Sequence, residues 1–389
     1  LRRNACFKIG QIRYAAPPKM TKKRVLLLCG GRSGEHEISL LSARFVLQAL
    51  DPERYEPVLV GIDKQGRWQL ESSQGLLASG SDARSISLTK QAPQVSLPAR
   101  PGPDGAVELY VEASEPRGID VVFPVLHGPM GEDGTVQGLL ELSGLPYVGA
   151  GVLGSAVGMD KDVMKRLLEQ AGLPILPYVC LRQQRYAEDS AGLLERAARL
   201  AFPLFVKPAN LGSSVGVSRV LESGALRAAV ERAFELDGKV VVEQGLEHPR
   251  EIELAVLGGQ RPFVSLPGEI VVDHPDGFYS YAAKYLDEVG ATTRVPAELD
   301  QAASARAQEL ARLTFEALEC EGLARVDLFL DRSGKLWVNE INTLPGFTRV
   351  SMYPKLMEAS GVSARELVSR LLDDAMARGR AKQSRKTSL

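Results

Sequence analysis

Apolar positions in the first third of the chain fall in short continuous runs separated by helical spacing. Arg24 to Gly31 is an apolar run closed by two glycines, the pattern of a strand buried on both faces. Tyr55 to Asp63 and Ile119 to His127 read the same way. Helical patterns run from Ser39 to Leu50 and, after a Gly/Pro-rich loop, from Thr135 to Ser143. Strands alternating with helices predict a doubly wound parallel sheet. Gly66 to Gly118 carries weaker signal and predicts short antiparallel strands and loops. A helix over Asp160 to Ala171 is marked by Asp160 as its cap, Leu167 and Leu168 as its apolar face, and Gly172 and Pro174 beyond its end.

The pattern then changes. Strands are predicted at Phe202 to Pro208, Gly216 to Val220, Lys239 to Gln244, Glu251 to Leu257, Phe263 to Val271, Leu323 to Asp331 and Leu336 to Asn342. Gly258-Gly259 and Arg332-Ser333-Gly334 read as hairpin turns. This half is α+β with antiparallel sheets. Boundaries near residues 147 and 243 divide the chain into 21–146, 147–242 and 243–376. A basic tail, 377–389, is expected to be solvated. Residues 1–20 are basic and carry two prolines; they read as a disordered or non-native extension, with Met20 as the natural start.

The 389 residues hold 47 Lys and Arg against 48 Asp and Glu, so no global field draws nucleic acid or a membrane surface. A polyanionic ligand therefore needs locally placed cations. Cys6, Cys29, Cys180 and Cys320 form no CxxC pair, which fits neither a disulfide framework nor a zinc site and points to a reducing, cytoplasmic setting. No apolar run approaches the ~18 residues that span a bilayer.

The chemistry concentrates in a few segments. Side chains alternate across a strand, so Arg325 and Asp327 share one face, and Glu340 and Asn342 share a face of the partner strand. Two carboxylates, an amide oxygen and a guanidinium then gather on one hairpin. Hard oxygen ligands without His or Cys suit Mg²⁺ beside nucleotide phosphates. Asn342 runs into Thr343-Leu344-Pro345-Gly346, a tight loop whose backbone N–H, with Arg325, can hold an oxyanion. Upstream, a buried strand delivers Lys207 to the loop Asn210 to Gly216, rich in Gly and Ser donors and suited to cover phosphates. It is not a Walker loop, since no GxxxxGK[ST] occurs. Lys161 opens a helix whose start is already electropositive, which makes sense beside an anion. Glu243 ends a buried strand; the backbone from Gln244 to Leu246 can pair with a flat heterocycle while Glu243 accepts from its exocyclic amine. Glu251 can accept ribose hydroxyls. The loop with Glu35 leaves the first strand and the loop with His127 leaves the third, at the sheet edge where ligands of such folds bind. Its carboxylates suit an ammonium group and repel a pyrophosphate.

In this order the segments GGRSGEHEIS, HGPMGEDG, GMDK, FVKPANLGSSVGV, FYSYAAKYL, ARVDLFLD and NEINTLPGFT resemble the D-alanine–D-alanine ligases of the ATP-grasp superfamily, over about residues 24 to 375. The resemblance implies a Rossmann-like, pre-ATP-grasp, substrate-binding domain over 21–146, a central ATP-grasp lobe over 147–242, and a C-terminal lobe over 243–376 with the metal and catalytic residues. It implies that Lys161 and Lys207 hold ATP phosphates, Glu243 and Leu246 adenine, and Glu251 ribose. Asp327, Glu340 and Asn342 would bind two Mg²⁺ or Mn²⁺ ions. Glu35 would fix the ammonium of the first D-alanine, with His127 near it. Ser213 would orient its loop, Arg325 and the Gly346 N–H would stabilise the tetrahedral intermediate, and Ser351 would meet the carboxylate of the second D-alanine. Lys284 and Tyr285 would sit on a loop that closes over the site. The implied reaction joins two D-alanines through an acyl phosphate, with release of ADP and phosphate, for peptidoglycan precursor synthesis. The expected partners are ATP and D-alanine, with neither nucleic acid nor membrane, and a homodimer is the expected assembly.

A D-alanine–D-lactate ligase is the nearest alternative, and Lys284-Tyr285 favours an amine nucleophile over it. Another ATP-grasp carboxylate–amine ligase accounts less well for the Glu35 and Ser351 loops. A non-catalytic nucleotide-binding regulator would tolerate loss of a metal ligand or of Arg325, yet all are intact. A Rossmann oxidoreductase needs a GxGxxG leaving the first strand, and the spacing of the Gly30 to Glu37 loop does not match it.

Overall fold

A computed structural model describes residues 21–80, 82–102, 106–272 and 291–385. The expectations for residues 1–20 and for Lys284 and Tyr285 lie outside the described residues.

The first sheet is built on Lys23–Gly30. It pairs in parallel with Tyr55–Ile62 on one side and Val121–Pro124 on the other, and Trp68–Glu71 adds an antiparallel edge. Period-two alternation divides the central strand. Val25, Leu27 and Cys29 pack with residues of the helices His36–Ala49 and Ala364–Gln383, whereas Leu26 and Leu28 pack with the helix Thr135–Ser143. Both faces are covered, and this is why the strand carries no polar alternation. Each fully buried Leu or Val contributes roughly 1.5–3 kcal/mol. Three details differ from expectation. The run from Ile119 to His127 is not one strand, because Arg117–Ile119 joins Val107–Val111 in a separate small sheet. The first helix begins three residues early, at His36. In the helix Lys161–Gln170, Asp160 accepts from the N–H groups of Asp162 and Val163 as expected, but the buried face is Met164 and Leu168; Leu167 is 37% exposed. Residues four apart stack on one helical face, and adjacent ones do not.

The second sheet is antiparallel, in the order Ser218–Val220, Leu204–Pro208, Lys239–Gln244, Tyr178–Arg182. Leu204, Val206, Val240 and Val242 pack with residues of the helices Ser190–Ala198 and Ser223–Phe234. The opposite face carries Phe205, Lys207 and Glu243. The third sheet runs Ala291–Arg294, Gly268–Val272, Arg250–Leu257, Leu323–Leu330, Leu336–Asn342, all antiparallel. Ile252, Leu254, Val256, Ala324, Val326 and Leu328 pack with residues of the helix Gln301–Ala317. The other face presents Glu251, Glu253, Arg325 and Asp327 to a cleft shared with the second sheet.

The helix Ala364–Gln383 runs back across the first sheet and absorbs the start of the expected solvated tail. Arg378 is mostly buried and donates to Asp374, Glu321 and the carbonyls of Tyr147 and Gly149. It ties the segment between the first and second sheets to the third.

Candidate active site

The register of the third sheet assembles the acidic cluster. Arg325 stands opposite Asn342, and Asp327 opposite Glu340. A bulge between Asp327 and Leu328 makes this possible: Leu328 pairs with Val338, so Asn339 is the extra residue. Without it, Val338 and Glu340 would point to the same face. With it, Val338 and Ile341 enter the core while Glu340 and Asn342 face the cleft. The Arg325 guanidinium donates to both Asp327 oxygens at 2.7 Å and lies 3.0 Å from Glu253 Oε2. Burial alone would lower the Arg325 pKa. The neighbouring Asp327 and Glu253 charges outweigh that and hold it well above its ordinary value. The Asn342 Oδ1 is buried and has no hydrogen-bond partner among the described residues.

Two cavities open on this face. The larger, of about 500 Å³, lies between the second and third sheets and is lined by Lys161, Lys207, Glu243, Leu246, Glu251, Asp327 and Glu340 among others. The smaller, of about 300 Å³, reaches the edge of the first sheet and is lined by Glu35, His127, Asn342, Gly346 and Ser351. Lys161, Ser213, Glu253, Arg325 and Glu340 line both. The two chambers therefore share one wall.

Within the larger chamber the Lys207 Nζ donates to Glu243 Oε2 at 2.6 Å, and Lys165 donates to the other Glu243 oxygen. Glu243 is thus a buried anion between two lysines rather than a solvated strand end. Burial would raise its pKa; the Lys165 and Lys207 charges outweigh that and hold it at about 2. The N–H groups of Gln244 and Gly245 bond to the carbonyls of Pro177 and Pro203. No hydrogen bond among the described residues takes up the Leu246 N–H. Lys161 donates to the Leu211 carbonyl at 2.6 Å, and its own N–H to Ala209, so it holds the Gly/Ser loop. Ser213 and Ser214 in that loop have positive φ, 52° and 58°, a conformation that β-carbon-bearing residues seldom adopt. It turns the Ser213 Oγ onto Glu35 Oε1, at 2.5 Å.

In the smaller chamber, Ser33 donates to the His127 carbonyl, joining the two loops at the sheet edge. The His127 Nδ1 meets the Leu344 carbonyl at 2.9 Å and Nε2 meets the Ser42 Oγ at 3.0 Å. A carbonyl only accepts, so Nδ1 carries the proton. His127 thereby anchors the loop that bears Gly346. Burial would lower the His127 pKa; Glu132, by hydrogen bond and charge, and the Glu35 charge outweigh this and raise it. Glu132 is itself raised by burial and by Glu35, with His127 opposing. Ser351 stands at the start of the helix Met352–Ala359, and its Oγ takes the Thr348 N–H at 3.1 Å. No described hydrogen bond takes up the Gly346 N–H.

Every described candidate from the sequence thus lines one of two adjoining chambers. Sequence reading missed three buried residues: Glu253 and Glu132 in the lining, and Lys165 behind it. Glu253 had a signal, since it alternates with Ile252 and Leu254 on the polar face of its strand. Glu132 stood in the HGPMGEDG loop without a role. Lys165 had only its place one turn after Lys161.

Two family models match in tandem. "D-ala D-ala ligase N-terminus" matches residues 24–150, and "D-ala D-ala ligase C-terminus" matches residues 167–373. The chain belongs to the D-alanine–D-alanine ligase family. A D-alanine–D-alanine ligase A of Bradyrhizobium diazoefficiens is 52% identical over 93% of this chain and 97% of its own. That of Escherichia coli K12 is 45% identical over 95% and 100%. The solved D-alanine–D-alanine ligase of Coxiella burnetii superimposes with a TM-score of 0.78 at 36% identity, over 93% of this chain and 96% of that one. The VanG D-Ala:D-Ser ligase of Enterococcus faecalis gives 0.78 at 33%, over 91% and 100%. Ligases with different second substrates share this fold.

Proposed function

We propose that this chain uses ATP to join two D-alanine molecules, forming D-alanyl-D-alanine, ADP and phosphate. The observation that carries the reading is the common wall of the two chambers, where a phosphoryl donor in one meets a carboxylate in the other. In the larger chamber Lys207 and Lys161 bind the phosphates, Glu251 the ribose, and the Leu246 N–H the adenine ring. Glu243, in the lining beside it, accepts from the exocyclic amine of adenine. In the smaller chamber Glu35 takes the ammonium of the first D-alanine, with His127 close by. Ser351 and the helix start behind it face the carboxylate of the second, where backbone N–H groups favour an anion.

A carboxylate is a poor electrophile. Its oxygen attacks the γ-phosphorus of ATP, ADP leaves, and an acyl phosphate results. The neutral amine of the second D-alanine then attacks the acyl carbon. The oxyanion formed there collects hydrogen bonds from Arg325 and the Gly346 N–H, which are already fixed in place. Collapse releases phosphate. The Ser213–Glu35 bond closes the Gly/Ser loop over the join, excluding water that would hydrolyse the acyl phosphate.

Asp327, Glu340 and Asn342 fit divalent cations. They are hard oxygen donors, two of them directly opposed, and the third has a buried oxygen without a partner. Two Mg²⁺ or Mn²⁺ ions held there would neutralise phosphate oxygens.

Residues 147–242 and 243–376 line both chambers, and 21–146 enters only the amino-acid chamber, with Glu35 and His127. No described helix is long and apolar enough to cross a membrane; the cytoplasm, where ATP is available, is the proposed setting, and a homodimer the proposed assembly. The test is phosphate release with ATP, Mg²⁺ and D-alanine, against L-alanine, D-lactate and D-serine as competitors for the second position. Release that requires D-alanine, with dipeptide as product, is expected. No D-alanine-dependent release, or a depsipeptide with D-lactate in preference, would refute it.

A further inference from the structure

The nucleotide chamber contains a buried group that its lining does not explain. Lys165 is 1% exposed and is absent from the residues that line either chamber. Its ammonium meets one Glu243 oxygen, while Lys207, which does line the chamber, meets the other at 2.6 Å. Glu243 itself is 1% exposed. Two cations therefore hold one anion, and only one of them can reach a ligand.

We infer that Lys165 is a positioning residue that keeps the Glu243 carboxylate neutralised, so that Lys207 is free to turn from Glu243 to a nucleotide phosphate. This rests on the proposal that the larger chamber binds ATP. A buried carboxylate without a cation is costly. If Lys207 were the sole partner of Glu243, moving to a phosphate would strand that carboxylate, and the lysine would stay where it is. Lys165 removes the penalty. It comes from the helix Lys161–Gln170, one turn after Lys161, and Met164 and Leu168 anchor that helix in the core of the third sheet, so it stays in place while the chamber fills. Its ammonium lies buried against Glu243; burial lowers its pKa, and the Glu243 charge opposes that. Burial would lower the Lys207 pKa as well, but the Glu243 charge and hydrogen bond, followed by the Glu340 and Glu251 charges, outweigh it and raise it.

The experiment compares binding of ATP and of adenosine, by calorimetry, to the full-length wild type, Lys165→Met, Glu243→Gln and the double variant Lys165→Met/Glu243→Gln. Adenosine has no phosphate and reports the remainder of the site. Lys165→Met is expected to weaken ATP by about 10- to 100-fold, the loss of a charge-assisted hydrogen bond, with adenosine affinity little changed. In the Glu243→Gln background no carboxylate is left to pin Lys207, so adding Lys165→Met should not weaken ATP further. Should Lys165→Met alone fail to fold, that second comparison still decides. The inference is overturned if Lys165→Met binds ATP like the wild type, if it weakens adenosine as much as ATP, or if its effect persists in the Glu243→Gln background. A wild type that binds no ATP at all overturns the functional reading instead.

Discussion

Arg325 holds a buried ion pair and has a proposed catalytic role, and replacing it with alanine separates the two. Its guanidinium makes two 2.7 Å bonds to Asp327 and lies 3.0 Å from Glu253. The three side chains are only 16%, 13% and 7% exposed. Glu253 and Asp327 are register partners on adjacent antiparallel strands. Alanine at 325 leaves two facing carboxylates with no cation between them, and like charges directly opposed on a sheet repel. Removing one partner of a buried ion pair costs about 3–5 kcal/mol. Urea denaturation at pH 7 without nucleotide or Mg²⁺ should show a loss of that size. Loss of an oxyanion donor should also lower kcat by about 10²- to 10³-fold at saturating substrates. Arg325→Lys keeps the charge but not the two-pronged geometry, so it should recover more of the stability than of the rate. An alanine variant whose unfolding free energy lies within about 1 kcal/mol of wild type refutes the buried-pair argument. One destabilised as stated yet ligating at the normal rate leaves Arg325 a charge balancer and refutes the oxyanion role.

Three further outcomes follow from the same geometry. Glu243 is depressed from the usual 4.5 to about 2, so its ion pairs stabilise the fold fully above pH 4.5 and are lost as pH falls toward 2, a contribution of about 3 kcal/mol. Wild-type stability should therefore fall more steeply than that of Glu243→Gln below pH 4.5, and parallel curves would contradict the pairing. Asn342→Leu removes a buried amide oxygen that has no partner. It should leave metal-free stability within about 1 kcal/mol while abolishing Mg²⁺-dependent ligation; retained activity would exclude Asn342 from the metal set. Ser213→Ala loses a hydrogen bond to a carboxylate, and proteolytic cleavage within 210–216 should speed up by roughly tenfold or more. An unchanged cleavage rate would show that the Glu35 contact does not hold the loop.

The parts of the fold that were legible in the sequence depend on local pattern. The three parallel strands announce themselves as apolar runs, because a strand buried on both faces has no polar positions to interrupt it. The helix Gln301–Ala317 went unread although Ala307, Leu310, Ala311 and Thr314 follow helical spacing. Two alanines and a threonine carry little hydrophobic weight, and it is the sheet above that makes them core. The leucine pair 167–168 misled for the opposite reason: both are apolar, and packing chose one.

The acidic hairpin shows where local pattern runs out. Strict alternation from Val338, a core residue, would have sent Glu340 into the core and Ile341 into the cleft. The sequence alone does not say which reading prevails. The bulge at Asn339 resolves the conflict by inverting the parity between them, because burying Glu340 without a partner would cost more than leaving one residue out of the ladder. Glu253 and Lys165 were hidden for a related reason. Each is defined by a partner on another element, and Lys165 meets Glu243 across 78 positions. Two further bonds span still more, 178 positions for Ser213 and Glu35 and 217 for His127 and Leu344. Motifs identify such residues one at a time. Only the folded structure shows that the Gly/Ser loop is fastened to the loop that carries Glu35.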